Sequence, residues 1–112
     1  MDKKFDVIFL EEAIEFLESV HEKSREKIIY NIDKASYIND PKLFKKLNDL
    51  IWEFRTLYKK KQYRLLAFWD KEDKNETLVI ATHGFVKKTS KVSKSEIEKA
   101  EDIRTKYFDD KS

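Results

Sequence analysis

The chain has 112 residues, which is enough for one compact core, and we expect a single domain spanning residues 1–112. Cysteine is absent, which excludes disulfides and cysteine-based metal sites, and no apolar run approaches the length of a membrane span. No signal-peptide core follows the first residues. We therefore expect a cytoplasmic protein that binds no membrane.

Charge is distributed unevenly along the chain. Residues 1–40 hold 6 Lys/Arg against 10 Asp/Glu, residues 41–94 hold 14 against 6, and residues 95–112 hold 4 against 6. The net charge of +2 therefore conceals a strongly basic middle segment between two acidic ends. Such a segment indicates that one surface binds a polyanion, although solvated lysines alone would give the same count.

The first part of the chain predicts a strand followed by a helical hairpin. Residues 5–9 form a short apolar run of strand formers. Residues 10–20 and 24–38 carry apolar side chains at helical spacing, and Ser24 is a suitable N-cap for the second helix. The positions expected to be buried are Ala13, Ile14, Phe16, Leu17, Val20, Ile28, Ile29, Ile32 and Ala35.

The second part predicts a helical turn, three strands and a last helix. The second helix ends at Asn39-Asp40-Pro41, and residues 42–50 are predicted to form a helical turn carrying Lys45 and Lys46. The predicted strands are 51–55, 63–70 and 77–86, with polar turns at 59–62 and 71–76. Ser93 and Glu96 form a capping-box pattern before a helix that runs to about Tyr107.

The predicted order β-α-α-β-β-β-α indicates an α+β fold, in which the helices pack on one face of an antiparallel sheet. The alternation in residues 51–55 places Trp52 and Phe54 on one face of that sheet. Glu53 and Arg55 lie on the other face. We expect the aromatic pair to face the helices.

Basic and aromatic residues are concentrated on the three predicted strands and their turns. Arginine and lysine neutralise phosphates, and aromatic rings stack on unpaired bases, so this combination favours an RNA-binding surface. The set comprises Arg55, Lys59, Lys60, Lys61, Arg64, His83, Phe85, Lys87 and Lys88. The sequence has no glycine-rich phosphate loop and no metal-ligand spacing, so we expect neither a cofactor nor a metal.

Several members of this set also have a purely structural interpretation. Arg55 can form a cross-strand ion pair with Glu53 or Asp70. The lysines of the turn can simply be solvated, Phe85 can belong to the core, and His83 can be structural, although its pKa range suits acid–base chemistry.

Three segments in fixed order resemble the RelE superfamily of toxins from toxin–antitoxin systems. Residues 51–55 (IWEFR) resemble the family's "LWELR"-like strand, and residues 62–68 (QYRLLAF) resemble its "YRILYF"-like strand. Residues 83–89 (HGFVKKT) are similar to the "HGFxKKT" signature of the HigB-like, phage-derived branch. Residues 95–100 resemble the closing helix of that branch, so the resemblance covers residues 50–107.

The resemblance implies a toxin that cuts mRNA, at the ribosome and without metal, by attack of the RNA 2′-hydroxyl on the adjacent phosphate. The implied phosphate clamps are Arg55 and Arg64. Lys87 and Lys88 are candidates for charge stabilisation or general acid, and His83 is a candidate base. The implied RNA-binding residues are Lys45, Lys46, Lys59, Lys60, Lys61, Tyr63 and Phe85.

The best-studied branch has a basic residue where this chain has Glu53, and a tyrosine shortly after the third strand that this chain lacks. Only the phosphate-binding role of Arg55 and Arg64 is therefore carried over from that branch. The resemblance also implies a helix-turn-helix antitoxin, docked on the acidic first-helix face or on the basic surface of the predicted strands. Two other functions stay open on this fold: a gyrase-inhibiting toxin of the ParE type, and a non-catalytic RNA-binding domain.

Overall fold

The computed structural model describes residues 2–72 and 77–112. Its elements, in chain order, are β1 (Asp6–Phe9), α1 (Glu11–Ser19), α2 (Glu22–Tyr37), β2 (Phe44–Lys46), β3 (Trp52–Tyr58), β4 (Lys61–Asp70), β5 (Leu78–Lys87) and α3 (Lys94–Lys111). The predicted polar turn at 71–76 lies mostly outside the described residues. In the described part of the chain, no helix combines the length and apolarity needed to cross a membrane.

The strands form one mixed sheet in the order β1-β5-β4-β3-β2. The pairs β2–β3, β3–β4 and β4–β5 are antiparallel. β1 lies at the edge of the sheet and runs parallel to β5. The predicted α+β class is confirmed. β1, the parallel edge strand, is followed directly by α1. α1 packs over β5, and α2 packs over β3 on the same face of the sheet.

Helices cover both faces of the sheet, so the prediction that all of them pack on one face was wrong. β4 shows the reason, because it is buried on both sides. Leu65 and Ala67 face the core beneath α1 and α2, while Leu66 and Phe68 face a second core that includes Ala100 of α3. An apolar run of this kind needs cover on each face, and α3 supplies the second layer.

The predicted helical turn at 42–50 was also wrong, because residues 44–46 form the edge strand β2. Phe44 pairs with Phe54 in register, and their rings stack with centroids 4.3 Å apart. Phe44 also stacks on Trp52, at 4.8 Å. These tertiary contacts outweigh the local helical tendency of a short segment.

Ser93 caps α3 as predicted and accepts a hydrogen bond from the Glu96 amide, but the predicted cap of α2 was wrong. His21, not Ser24, is the N-cap of α2, and its ring accepts a hydrogen bond from the Lys23 amide. Ser24 lies inside the helix, buried, where its hydroxyl accepts a hydrogen bond from Tyr63. Two residues expected in the core, Ile14 and Ile29, are instead exposed on the outer sides of α1 and α2.

Candidate active site

A group of charged side chains occupies the face of the sheet that α3 covers only in part. The prediction that Arg55 lies opposite Trp52 and Phe54 is confirmed, since these two aromatic residues pack in the core beneath α1 and α2. The register aligns Arg55 of β3 with Arg64 of β4, and aligns Glu53 with Lys45 of β2. We call Lys45, Glu53, Arg55, Arg64 and Lys87 the basic cleft.

Arg64 and Glu53 form a buried ion pair at the centre of the basic cleft. Arg64 Nε lies 3.0 Å from Glu53 Oε1, and the two side chains are only 3% and 4% exposed. The remaining guanidinium nitrogens donate to the Tyr63 carbonyl at 3.0 Å and to Gln62 Oε1 at 2.8 Å. Burial lowers the pKa of Arg64, and the Glu53 carboxylate opposes this effect. Arg64 is therefore enclosed by protein groups rather than presented to solvent.

Arg55 is the accessible arginine of the pair. Its side chain is 31% exposed, its Nε lies 3.7 Å from Glu53 Oε2, and it donates to the Pro41 carbonyl at 3.3 Å. The structural interpretation of Arg55 as an ion-pair partner of Glu53 thus holds in the unbound chain. The long contacts leave the guanidinium free to exchange these partners for a phosphate.

Lys87 ends β5 beside the two arginines. Burial lowers the pKa of Lys87, and the positive charge of Arg64 lowers it further. Arg55 and Lys45 act in the same direction, while Glu53 opposes them. An ammonium group in such surroundings releases its proton more readily than a solvated lysine. Lys88 lies beyond the end of β5 and is exposed.

Three aromatic side chains of the predicted site are buried or half-buried. His83 is 3% exposed, with Nδ1 3.0 Å from Thr82 Oγ1 and Nε2 3.0 Å from Glu96 Oε1. Burial lowers the pKa of His83, and the Glu96 carboxylate opposes this effect. Phe85 is half-buried against the core beneath α3, and Tyr63 is buried on the opposite face of the sheet. Tyr63 and His83 are therefore not exposed to the basic cleft, whereas the half-buried Phe85 lies beside Arg64 in the sheet register.

The remaining predicted lysines lie outside the basic cleft. Lys59 and Lys60 form the two-residue turn between β3 and β4, and Lys61 begins β4. All three are exposed. Lys46 projects from the face of β2 opposite to Lys45 and lies 3.8 Å from Asp49.

Glu53 and Gln62 belong to the site, although neither was predicted as a site residue. Both contact Arg64, and both lie on its face of the sheet. The alternation of β3 already placed Glu53 beside Arg55, so that signal was available. Gln62 lies two residues before Arg64, so the same alternation places it on that face once β4 begins at Lys61.

The basic cleft can bind an anion and stabilise additional negative charge on it. Arg55 and Lys45 offer exposed or half-buried cations, while Glu53 fixes Arg64 behind them. Among the described residues, no three His, Cys, Asp or Glu side chains are grouped closely enough to hold a metal ion.

Residues 15–105 match a family model described as Phage derived protein Gp49-like (DUF891). The matched range extends from α1 into α3 and includes every residue of the basic cleft. No curated protein matches the chain.

Proposed function

The chain belongs to the Gp49-like family of phage-derived proteins, a RelE-toxin-like family, and we propose that it is an mRNA-cutting toxin of the HigB-like type. The observation that carries this proposal is the basic cleft, where four cations surround the Glu53 carboxylate. A surplus of positive charge on an open sheet face suits the phosphate backbone of single-stranded RNA.

The proposed reaction is attack of a ribose 2′-oxygen on the adjacent phosphorus, with release of the 5′-oxygen. Arg55 exchanges its contacts with Glu53 and Pro41 for the scissile phosphate. Glu53 Oε2, once Arg55 has turned to the phosphate, accepts the proton of the 2′-hydroxyl. Lys87 donates a proton to the departing 5′-oxygen, which its lowered pKa favours.

Arg64 contributes through its fixed positive charge and through Glu53. Because its guanidinium is held by Glu53, Gln62 and the Tyr63 carbonyl, it does not reorganise when the phosphate gains charge. Preorganised charge of this kind is the form of electrostatic stabilisation that lowers barriers most. In this proposal His83 fixes the start of α3 and takes no part in proton transfer.

A toxin of this type requires a partner that restrains it. We propose a cognate helix-turn-helix antitoxin and translated mRNA on the ribosome as the two partners, both met in the cytoplasm. The acidic outer face of α1, which carries Glu11, Glu12, Glu15 and Glu18, and the basic cleft are the two surfaces offered to the antitoxin.

The test is controlled expression followed by mapping of RNA 5′ ends, together with cleavage of mRNA by the purified chain with and without ribosomes. We expect growth arrest and new RNA ends. Arg55→Ala and Lys87→Ala should lower the cleavage rate on the order of 100-fold with little change in thermal melting. Lys34→Ala, an exposed cation on α2, is the matched control and should cleave normally.

Full cleavage by both cleft variants would place the active site elsewhere. Intact RNA with inhibited DNA supercoiling would identify a gyrase poison instead. RNA binding without cleavage or toxicity would reduce the chain to a binding domain.

A further inference from the structure

A cavity of about 530 Å³ lies on the opposite face of the sheet from the basic cleft. It opens between the α1–α2 junction and the β3–β4 hairpin. Its apolar wall consists of the Phe16, Val20 and Val86 side chains with the rings of Tyr58 and Tyr63. Phe16 sits deep because Gly84, beneath it on β5, has no side chain: a Cβ there would lie 2.6 Å from Phe16 Cγ.

The rim of this cavity is polar and basic. Lys59 and Lys61 border it on the hairpin side, and Ser19 and His21 border it on the helix side. Inside, the hydroxyls of Ser24 and Tyr63 are hydrogen-bonded to each other at 3.1 Å, and both residues are buried.

We propose that this cavity binds one nucleotide of the RNA substrate, away from the bond that is cut. The base enters against Tyr58 and the apolar wall, with hydroxyl groups of the wall available to its polar edge. The phosphate of that nucleotide contacts Lys59 and Lys61. This inference rests on the proposed function, and it gives that function a source of sequence preference that the basic cleft lacks.

The cavity and the basic cleft lie on opposite faces of the sheet, and β4 contributes a residue to each. Along β4, Tyr63 faces the cavity and Arg64 faces the cleft, and Arg64 donates to the Tyr63 carbonyl. From Arg64 to the tip at Lys60 is about 13 Å of extended strand. The exposed Lys59, Lys60 and Lys61 therefore form a continuous cationic path over the tip for a flexible RNA strand.

A nucleotide fits these features better than an acidic peptide. The volume lies within the range of small-molecule sites. Aromatic rings beside lysines, with hydroxyl groups at the bottom, match a stacked base and its phosphate. An acidic peptide would contact the lysines but would leave the aromatic rings of Tyr58 and Tyr63 without a stacking partner.

The test is an NMR titration of the full chain with the four nucleoside 5′-monophosphates. None of them contains a bond that the proposed reaction cuts, so binding is read independently of cleavage. We expect saturable amide shifts in residues 19–24 and 58–63, with one base preferred. Lys61→Ala should weaken binding by up to about fivefold, the upper range for an exposed ion pair. Tyr58→Ala should weaken it further, and Lys34→Ala should have no effect.

Inorganic phosphate alone should not reproduce the shifts of residues 58–63. Equal shifts from phosphate would overturn the proposal, and so would nucleotide shifts confined to Lys45 and Lys87. Saturable binding of a glutamate-rich peptide in the cavity without nucleotide binding would assign it to a protein partner instead. If the nucleotide binds but no RNA is ever cut, the nucleotide-binding role of the cavity is supported and the proposed reaction is refuted.

Discussion

Arg64 and Glu53 form a buried ion pair in which each charge depends on the other. Burying either charge alone is costly, and their mutual contact offsets that cost only while both are present. Glu53 Oε1 and Arg64 Nε are 3.0 Å apart, yet the N–H does not point at the oxygen, so neither atom has a well-directed hydrogen bond among the described residues. The pair is therefore held by charge rather than by ideal geometry.

The first prediction separates the two arginines by stability. Arg64→Ala leaves Glu53 charged and buried, so it should lower the free energy of unfolding by about 3–5 kcal/mol. Arg55→Ala removes only a half-exposed, long contact and should cost about 1 kcal/mol or less. Chemical denaturation of both variants at one salt concentration makes the comparison.

The matched control replaces both partners of the buried pair. Glu53→Gln combined with Arg64→Met removes the uncompensated charge and should recover most of the stability lost in Arg64→Ala. No recovery would mean that the packing of the Arg64 stem, and not its charge, is what the fold requires.

The second prediction concerns Gly84, whose backbone does not need the left-handed region. Its requirement is space, because the Phe16 ring lies where a side chain would begin. Gly84→Ala should therefore destabilise the chain by about 1–3 kcal/mol through overpacking. In a Phe16→Leu background the same change should cost less, and equal costs in both backgrounds would refute a steric cause.

At the scale of elements, the β3–β4 hairpin turns through two lysines in the left-handed region, with φ of 49° at Lys59 and 69° at Lys60. Two-residue hairpins favour such a turn because it matches strand twist, but they normally place Asn-Gly there. Each lysine adopts an unfavourable backbone conformation. The turn thus sacrifices stability while presenting charge at the tip of the hairpin.

The third prediction is that Lys59→Asn with Lys60→Gly stabilises the chain by about 1 kcal/mol and raises the thermal midpoint by several degrees. Lys59→Ala with Lys60→Ala removes the same charges without relieving the backbone and serves as the control. A gain in both double variants would attribute the effect to charge repulsion rather than to backbone conformation.

α3 is anchored to the sheet at its last turns by Asp70, which is fully buried. Tyr107 and Lys111 both donate to Asp70 Oδ2, each at 2.7 Å. Burial raises the pKa of Asp70, but the hydrogen bonds from Lys111 and Tyr107 outweigh this, and the pKa lies below its usual value. The same contacts explain why α3 continues to Lys111, past the predicted end at Tyr107.

The fourth prediction follows from the sign of that shift. A depressed carboxylate pKa gives stability that is present above the unfolded value of about 3.9 and is lost as pH falls through the folded pKa. Asp70→Asn should therefore lower the melting temperature at pH 7 and make little difference near pH 2. A melting difference that stays constant from pH 7 to pH 2 would contradict an ionic anchor.

On the scale of the whole molecule, the basic middle segment folds into β2 to β5, and its cations collect on the cleft and on the hairpin tip. The acidic first segment supplies the outer face of α1, and Glu12 there forms an ion pair with Lys99 of α3 at 2.7 Å. The acidic and basic segments of the chain thus form different surfaces of the folded protein.

The fifth prediction uses this separation. The logarithm of the RNA association constant should fall linearly with the logarithm of the salt concentration, with a slope of about −0.7 for each phosphate neutralised. Lys45→Ala and Arg55→Ala should each reduce the slope by about 0.7, while Lys34→Ala should leave it unchanged. Identical slopes in all three variants would show that RNA does not occupy the basic cleft.

The sequence by itself determined the features that repeat over a few residues. The period-two alternation placed Glu53 and Arg55 on one face of β3, and the helical periodicity located α1, α2 and α3 to within a few residues. It also identified the basic segment and the family resemblance. These signals are local, so no knowledge of distant contacts is needed to detect them.

Only the tertiary structure decided what depends on partners far apart in the chain. The pairing of Phe44 with Phe54 made a strand of a segment that predicted a helical turn, and the two buried faces of β4 required α3 on the second side. Arg64 is typical of an exposed phosphate clamp in sequence, yet Glu53 and Gln62 enclose it. The reason is physical: burial and ion pairing depend on which strands become neighbours, and that choice minimises the free energy of the whole sheet rather than of any segment.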